Sequence, residues 1–324
     1  MSQLDIIKTP VSAELKSFET KFKNSVVSDI SLLNIIMKYI LRTKGKQIRP
    51  LLVFLIARLH GGVTESTYTA ASLIELLHTA SLIHDDVVDE SYERRGFFSI
   101  NALWKSKVAV LVGDYLLSKG LLLSLENNEY ELLRIITRAV QEMSEGELLQ
   151  IQKSKKLNIT EPEYFKIIQK KTATLIAACC ACGAKSAEAD EDSVNNMWEF
   201  GLLLGVAFQI KDDLLDIKNK GITGKPSAND IKEKKLTLPL IYSLGISESS
   251  KRKDILRILD RKHKSNSNID FIINYIKECG GIEYAESKMN EYKSMALKRI
   301  ENFSDSSVLK SIISLADFVT NRSK

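Results

Sequence analysis

Proline and glycine are scarce in this 324-residue chain, which has five prolines and 15 glycines. No proline lies between Pro50 and Pro162, and none follows Pro239. Proline locks φ and lacks an N–H, so long proline-free, glycine-poor stretches point to an all-α protein. A strong charge of one sign is also missing. The net charge of +5 is too small to imply nucleic acid as a partner. No uninterrupted apolar run, Leu51 to Ala57 included, approaches the roughly 20 residues that a membrane helix needs. No signal-peptide pattern is read at the start, so a soluble, cytoplasmic protein is expected. Cysteine is limited to Cys179, Cys180, Cys182 and Cys279. Three of them share one apolar run without the paired spacing of a zinc site. They read as buried, reduced thiols.

What the chain does have is acid in two matching places: Asp85-Asp86-Val87-Val88-Asp89 and Asp212-Asp213-Leu214-Leu215-Asp216. In a helix the first and last aspartates of each motif share a face one turn apart. Carboxylates crowded in that way repel one another unless a cation intervenes. Oxygen donors suit a hard ion such as Mg²⁺, which usually completes its shell with waters and substrate phosphate. A lone acidic helix end is commonly a solvated face. Here both motifs follow predominantly apolar stretches, and a buried carboxylate needs a partner.

Helix signals cover the rest. Pro50 suits N1 of a helix that runs to His60 and is capped by Gly61-Gly62. Thr64 opens a helix reaching about Glu90. Residues 91–99 read as a loop, and helices are expected over 107–125 and 128–153. Thr160-Glu161-Pro162-Glu163 forms a capping box for a helix that Gly183 ends. Asp190 caps the helix carrying the second acidic motif, and 221–235 is a lysine-rich loop. Shorter helices follow, broken at Gly245, near Ser265 and at Gly280-Gly281. No linker divides residues 1–324, so a single helical domain is expected, with inward-facing sites.

Cationic residues cluster near these motifs. Gly45-Lys46-Gln47-Ile48-Arg49-Pro50 places Lys46 and Arg49 at a helix entrance, a natural anion site. Arg94-Arg95 follows the first motif, Lys171-Thr172 lies mid-chain, and Lys225 and Lys235 follow the second motif. Such donors, with metal-bridged oxygens, suffice for two diphosphates. His78 lies seven residues before Asp85. It reads either as a core histidine or as a phosphate contact beside Lys46 and Arg49.

Taken in order, GKQIRP, HTASLIHDDVVDESYERRG, VLVGDYLLS, GELLQ, KTATL, FQIKDDLLD and KPSANDIKEKKLTLPL resemble the trans-polyprenyl diphosphate synthases. These are head-to-tail, chain-elongating isoprenoid enzymes. The resemblance implies an isoprenoid-synthase-like helical bundle around a central cavity, a homodimer, and aspartate motifs on facing walls. It implies that several Mg²⁺ ions hold an allylic diphosphate primer through Asp85, Asp86, Asp89, Asp212, Asp213 and Asp216. Arg94, Lys171, Lys225 and Lys235 would assist. Isopentenyl diphosphate would bind without metal at Lys46, Arg49, His78 and Arg95, with Thr172 and Gln209 lining the reacting centre.

Two departures stand out: Gln47 replaces an arginine common in the family, and Lys234 replaces a glycine. Ala80 and Ser81, one turn before the first motif, are small where short-chain members place an aromatic. A helical wheel puts only Ser81 on the aspartate face. Close helix packing is the plain alternative. The preferred reading is an open tunnel and a long, octaprenyl-like product for quinone side chains. A geranylgeranyl- or farnesyl-length product is the alternative. A class I terpene cyclase is disfavoured by the second aspartate-rich motif, and a non-catalytic partner subunit by the intactness of both. The basic stretches 251–253 and 261–264 read as solvated faces, allowing at most peripheral membrane contact.

Overall fold

The computed structural model describes residues 2–43, 45–94, 96–154, 157–218, 228–304 and 306–322. Their helices are α1 (Gln3–Lys8), α2 (Ser12–Ser25), α3 (Ser31–Arg42), α4 (Ile48–Leu59), α5 (Glu65–Val88), α6 (Ile100–Glu126), α7 (Tyr130–Ser154) and α8 (Glu161–Ile168). A π-helical turn, Gln169–Ala173, leads directly into α9 (Thr174–Ser186). Then come α10 (Glu191–Lys218), α11 (Asn229–Lys232), α12 (Leu238–Gly245), α13 (Ser249–Asp260), α14 (Asn266–Glu278), α15 (Gly281–Lys298) and α16 (Ser307–Asn321). The all-α expectation holds.

The expected caps are in place. Thr64 opens α5 through a box closed by Thr67, whose Oγ1 accepts from the Thr64 N–H at 3.1 Å. Thr160 and Glu163 form the box of α8, the Thr160 N–H donating to Glu163 Oε2 at 2.9 Å. Asp190 accepts from the Ser193 N–H at 2.7 Å. Each satisfies donors that the first helical turn leaves unpaired.

Four local readings need correction. Pro50 is the third residue of α4, not the first; its fixed φ suits any position in that first turn. Residues 91–99 contain a small antiparallel pairing, Glu93 with Phe98 and Arg94 with Phe97. The expected 107–125 helix begins earlier, at Ile100, and passes through a kink at Lys105, with φ 68° and ψ 162°. Gly183 lies inside α9 and ends nothing. A Cβ there would stand 2.7 Å from the Val53 carbonyl oxygen, so this glycine permits close approach to α4.

The chain gathers into two compact units. Residues 1–140, 178–198 and 303–312 form one; 141–177, 199–302 and 313–324 form the other. In the first, Leu76, Ala80 and Ile83 of α5 share a core with Ala109, Val112 and Leu116 of α6. Cys179, Cys180 and Cys182 are buried there, as expected, and burial pushes the Cys179 thiol up to about 12. Helix α6 is long and apolar enough to cross a membrane by length and composition alone. It leaves Leu103, Val110, Leu111, Leu122 and Leu125 exposed. In the second unit Ile167, Val206, Ile210, Leu240, Ile272 and Ile276 belong to one core. The basic stretch of α13 stays within its own unit, Lys251 lying 3.7 Å from Glu278 and over the Tyr275 ring.

Candidate active site

In the first unit, the first acidic motif closes α5 with a Schellman arrangement. Glu90 takes a left-handed φ of 50°. The Ser91 N–H then reaches back to the Asp86 carbonyl at 2.9 Å, and the Glu90 N–H to Val87 at 3.3 Å. Asp89 is the cap residue, its N–H donating to the Asp85 carbonyl at 2.8 Å. Asp85 is half-buried, Asp86 buried and Asp89 exposed. His84 lies against Gly113 of α6, with Nε2 3.3 Å from the Val110 carbonyl and 3.4 Å from Asp114. A Cβ at Gly113 would fall 2.2 Å from that ring, so only glycine admits it. Of the anion-site candidates in this unit, Lys46 is exposed, while Arg49 and His78 are half-buried. Arg95 lies outside the described residues, and Arg94 is described by its backbone alone. Ala80 is buried in the α5–α6 core, whereas Ser81 is half-buried, its hydroxyl donating to the His78 carbonyl at 2.9 Å.

In the second unit the π-turn between α8 and α9 is the organising element. An extra residue per turn bulges the backbone, a feature frequent at functional sites. Two glycines admit the bulge. A Cβ at Gly146 of α7 would stand 2.7 Å from the Lys171 N, and one at Gly205 of α10 2.5 Å from the Ala173 Cα. The turn presents Lys171 and Thr172 to α7 and α10. Lys171 Nζ lies 2.5 Å from Glu147 and donates to Gln150 at 3.1 Å. Thr172 Oγ1 donates to Gln209 Oε1 at 2.8 Å, and Gln209 Nε2 donates to Asp213 Oδ1 at 2.9 Å. The other Asp213 oxygen accepts from the Tyr164 hydroxyl at 2.6 Å.

Tyr164, Lys171, Thr172, Gln209 and Asp213 line a cavity of about 110 Å³ with Gln150, Asp230 and Lys235. Lys171, Thr172, Gln209, Asp213 and Lys235, all singled out by sequence, thus come together. Lys234 is drawn away to Asp260 at 2.8 Å, which leaves the cavity to Lys235. Lys234 also has φ 61°, a conformation natural to the glycine it replaces. Lys225 lies outside the described residues. Asp216 caps backbone: its two oxygens accept from the Asn229 and Asp230 N–H groups at 3.0 and 2.9 Å. Asp212 pairs with Arg322.

Burial raises the Asp213 carboxyl well above its ordinary value, with Asp230 adding repulsion. Asp230 is likewise raised by burial, and then by Asp216. Burial raises Asp212 while Arg322 opposes the shift. Carboxylates that resist ionisation for these reasons form a donor set that a divalent cation would relieve. Among the described residues no three His, Cys, Asp or Glu side chains already converge as a cage. The chemistry of Asp212, Asp213 and Asp230, oxygen donors held near one another by burial, suits a hard divalent ion that completes its shell with other oxygens.

A family model described as polyprenyl synthetase matches residues 30–276. The chain belongs to this family. Octaprenyl diphosphate synthase of Escherichia coli is 32% identical over 300 residues, covering 92% of each chain. A solved polyprenyl synthase of Caulobacter crescentus, in complex with calcium and isoprenyl diphosphate, superposes with a TM-score of 0.91. It is 31% identical and covers 99% of this chain and 98% of its own. Geranylgeranyl pyrophosphate synthase of Bacteroides thetaiotaomicron is 37% identical with a TM-score of 0.85, covering 99% and 100%. The fold is thus the all-helical one of polyprenyl synthases, and the chain is a trans-prenyltransferase of that family. Four members of its site escaped sequence reasoning. Tyr164 and Arg322 carry no local signal, while Gly146 and Asp230 sit inside the GELLQ and KPSANDIKEKKLTLPL segments without standing out from them.

Proposed function

We propose that this polyprenyl synthetase condenses isopentenyl diphosphate with an allylic diphosphate primer to build a long, octaprenyl-like all-trans product, of the kind used for quinone side chains. The observation that carries the condensation is the cavity shared by Lys171, Lys235, Asp213 and the Thr172–Gln209 pair. Two ammonium groups and a braced carboxylate suit an allylic diphosphate that must leave as an anion. Mg²⁺ bound with that diphosphate would supply further stabilisation of the departing charge. Asp212 and Asp213 are the side chains of the second unit that would hold it, and the family resemblance assigns the same role to Asp85, Asp86 and Asp89. Lys171 and Lys235 donate to the leaving oxygens, and Lys225 belongs to the same proposed set. Tyr164 and Gln209 hold Asp213 in one rotamer, so its geometry does not depend on substrate.

Isopentenyl diphosphate is assigned to Lys46, Arg49, His78 and Arg95, whose cations need no metal to receive a phosphate. Its double bond attacks the allylic carbon as the C–O bond breaks. The proton then lost goes to the released diphosphate, a base already at hand. The octaprenyl relative and the small side chains at Ala80 and Ser81 support a long product. The exposed apolar residues of α6 support a homodimer in which a second copy covers them.

The test is incubation of the purified chain with isopentenyl diphosphate, Mg²⁺ and allylic primers, followed by chromatography of dephosphorylated products. Products of about eight isoprene units, abolished by chelation, support the reading. Four-unit products overturn the long-chain assignment. Cyclic products, or none from a folded chain, overturn the condensation.

A further inference from the structure

Arg322 lies just beyond α16 and is only 18% exposed in its side chain. Its guanidinium sits 4.3 Å over the Phe208 ring and forms an ion pair with Asp212, the first aspartate of the second acidic motif. Phe208 and Asp212 are four residues apart on α10, so one helix face supplies both a stacking surface and a counter-charge. That pairing suits arginine and not lysine, because a planar cation can stack and donate at once. Among the described residues, the buried Nε of Arg322 has no hydrogen-bond partner. A buried guanidinium N–H left unpaired is costly. Here it is an available donor beside a carboxylate of the motif.

We propose that Arg322 is the resident counter-ion of Asp212, competing with the metal for that carboxylate and donating to the diphosphate that arrives with the metal. The inference rests on the reading of the second motif as a metal–diphosphate site. A guanidinium on Oδ1 already neutralises Asp212 and occupies one side of it, so a metal approaching that oxygen competes with Arg322 for its charge. In this proposal the metal displaces the guanidinium from Oδ1. Displacement leaves it stacked on Phe208, with free N–H groups turned toward new anionic oxygens. The exchange keeps charge balanced: a carboxylate neutralised by arginine becomes one neutralised by metal, while the arginine neutralises phosphate. Competition makes metal weak by itself and strong with diphosphate, which favours loading the two together. Arg322 is thus a positioning residue for Asp212 and a binding residue for diphosphate.

The test uses the full chain and reads binding rather than turnover. Mn²⁺ is titrated by electron paramagnetic resonance without any diphosphate. Arg322→Gln should bind it roughly tenfold more tightly than wild type, the gain from removing a competitor that occupies the site about nine-tenths of the time. The same substitution made in an Asp212→Asn background should change nothing. With Mn²⁺ saturating, Arg322→Gln should bind inorganic pyrophosphate more weakly than wild type. Arg322→Lys should fall between the two, and it serves alone if the glutamine variant does not fold. A purely structural role predicts a lower melting temperature with unchanged or weaker Mn²⁺ affinity, and that result overturns the proposal. So does a gain that persists without Asp212. Product formation by wild type is measured on the same samples. Its failure counts against the condensation, whereas the Mn²⁺ affinities decide the role of Arg322.

Discussion

Lys105 interrupts α6 with φ 68° and ψ 162°, a region that only glycine occupies comfortably. Holding a side chain there costs about 1–3 kcal/mol. Lys105 is exposed, so its removal forfeits no buried contact. Glycine also loses more freedom on folding, which takes back up to about 1 kcal/mol. Relief of strain outweighs that loss, so Lys105→Gly is expected to stabilise the chain by roughly 1 kcal/mol. Thermal or urea melts will read it, and an unchanged or lower melting point would mean that the kink is held without strain. Sequence reasoning began this helix two residues after Lys105 because a lysine carries no signal of a left-handed turn. The same blindness covered Gln47 and Glu90, both with positive φ, whereas at Lys234, with φ 61°, the glycine it replaces was a signal. At the aspartates it worked differently. The residue types were legible, but their partners were not: Tyr164 lies 49 residues from Asp213 and Arg322 110 from Asp212.

The π-turn of residues 169–173 is the element on which the second unit's site depends. Gly146 makes it fit. In an ordinary helix interior, Gly→Ala gains up to about 1 kcal/mol. Here the added Cβ would stand 2.7 Å from the Lys171 N and 2.8 Å from the Lys170 Cβ. Backbone cannot step aside as a side-chain tip can, and overpacking of this kind costs about 1–3 kcal/mol. The clash outweighs propensity. Gly146→Ala should therefore lower stability by about 1–2 kcal/mol and cut turnover at least roughly tenfold, through displaced Lys171 and Thr172. Full activity with a higher melting point would show that the turn does not need the close approach. Helix α8 offers an acid-dependent counterpart. Hydrogen bonds from Lys153, first, and then Thr160 lower the Glu163 carboxyl from 4.5 to about 2. A depressed carboxyl adds stability that is complete above the unfolded value and fades as pH falls through the folded one. The melting-point advantage of wild type over Glu163→Gln should hold above pH 4.5 and vanish toward pH 2. An advantage independent of pH would mean that the charge of Glu163 contributes nothing to it. Such caps were readable because their residues are three apart. The π-turn was not, because packing by Gly146 and Gly205 from separate helices imposes it on a segment whose own pattern is merely helical.

At the scale of the whole molecule, the order of motifs along the chain was enough to indicate the family. Their distribution over two compact units was not visible, since no change in composition marks the boundaries. Product length is set on this scale, by how far an apolar tail can extend. The structure separates two neighbours that the sequence treated alike. Ala80 is 3% exposed and belongs to the core that α5 shares with α6, where Gly113 and Gly120 already bring the helices into close approach. A phenylalanine there must displace packed neighbours, at a cost of about 1–3 kcal/mol. Ser81 is half-buried, with its hydroxyl spent on its own helix at the His78 carbonyl. A ring at Ser81 can extend away from that core, along the face the helical wheel shares with the aspartates. Ser81→Phe should therefore fold normally and shorten the product to about three or four isoprene units, the most movable occupant giving way. Ala80→Phe should instead lower the melting point, with product length changed less. Chromatography of dephosphorylated products beside thermal melts distinguishes the two. A full-length product from a folded Ser81→Phe variant would place the tail elsewhere and leave both small residues to helix packing.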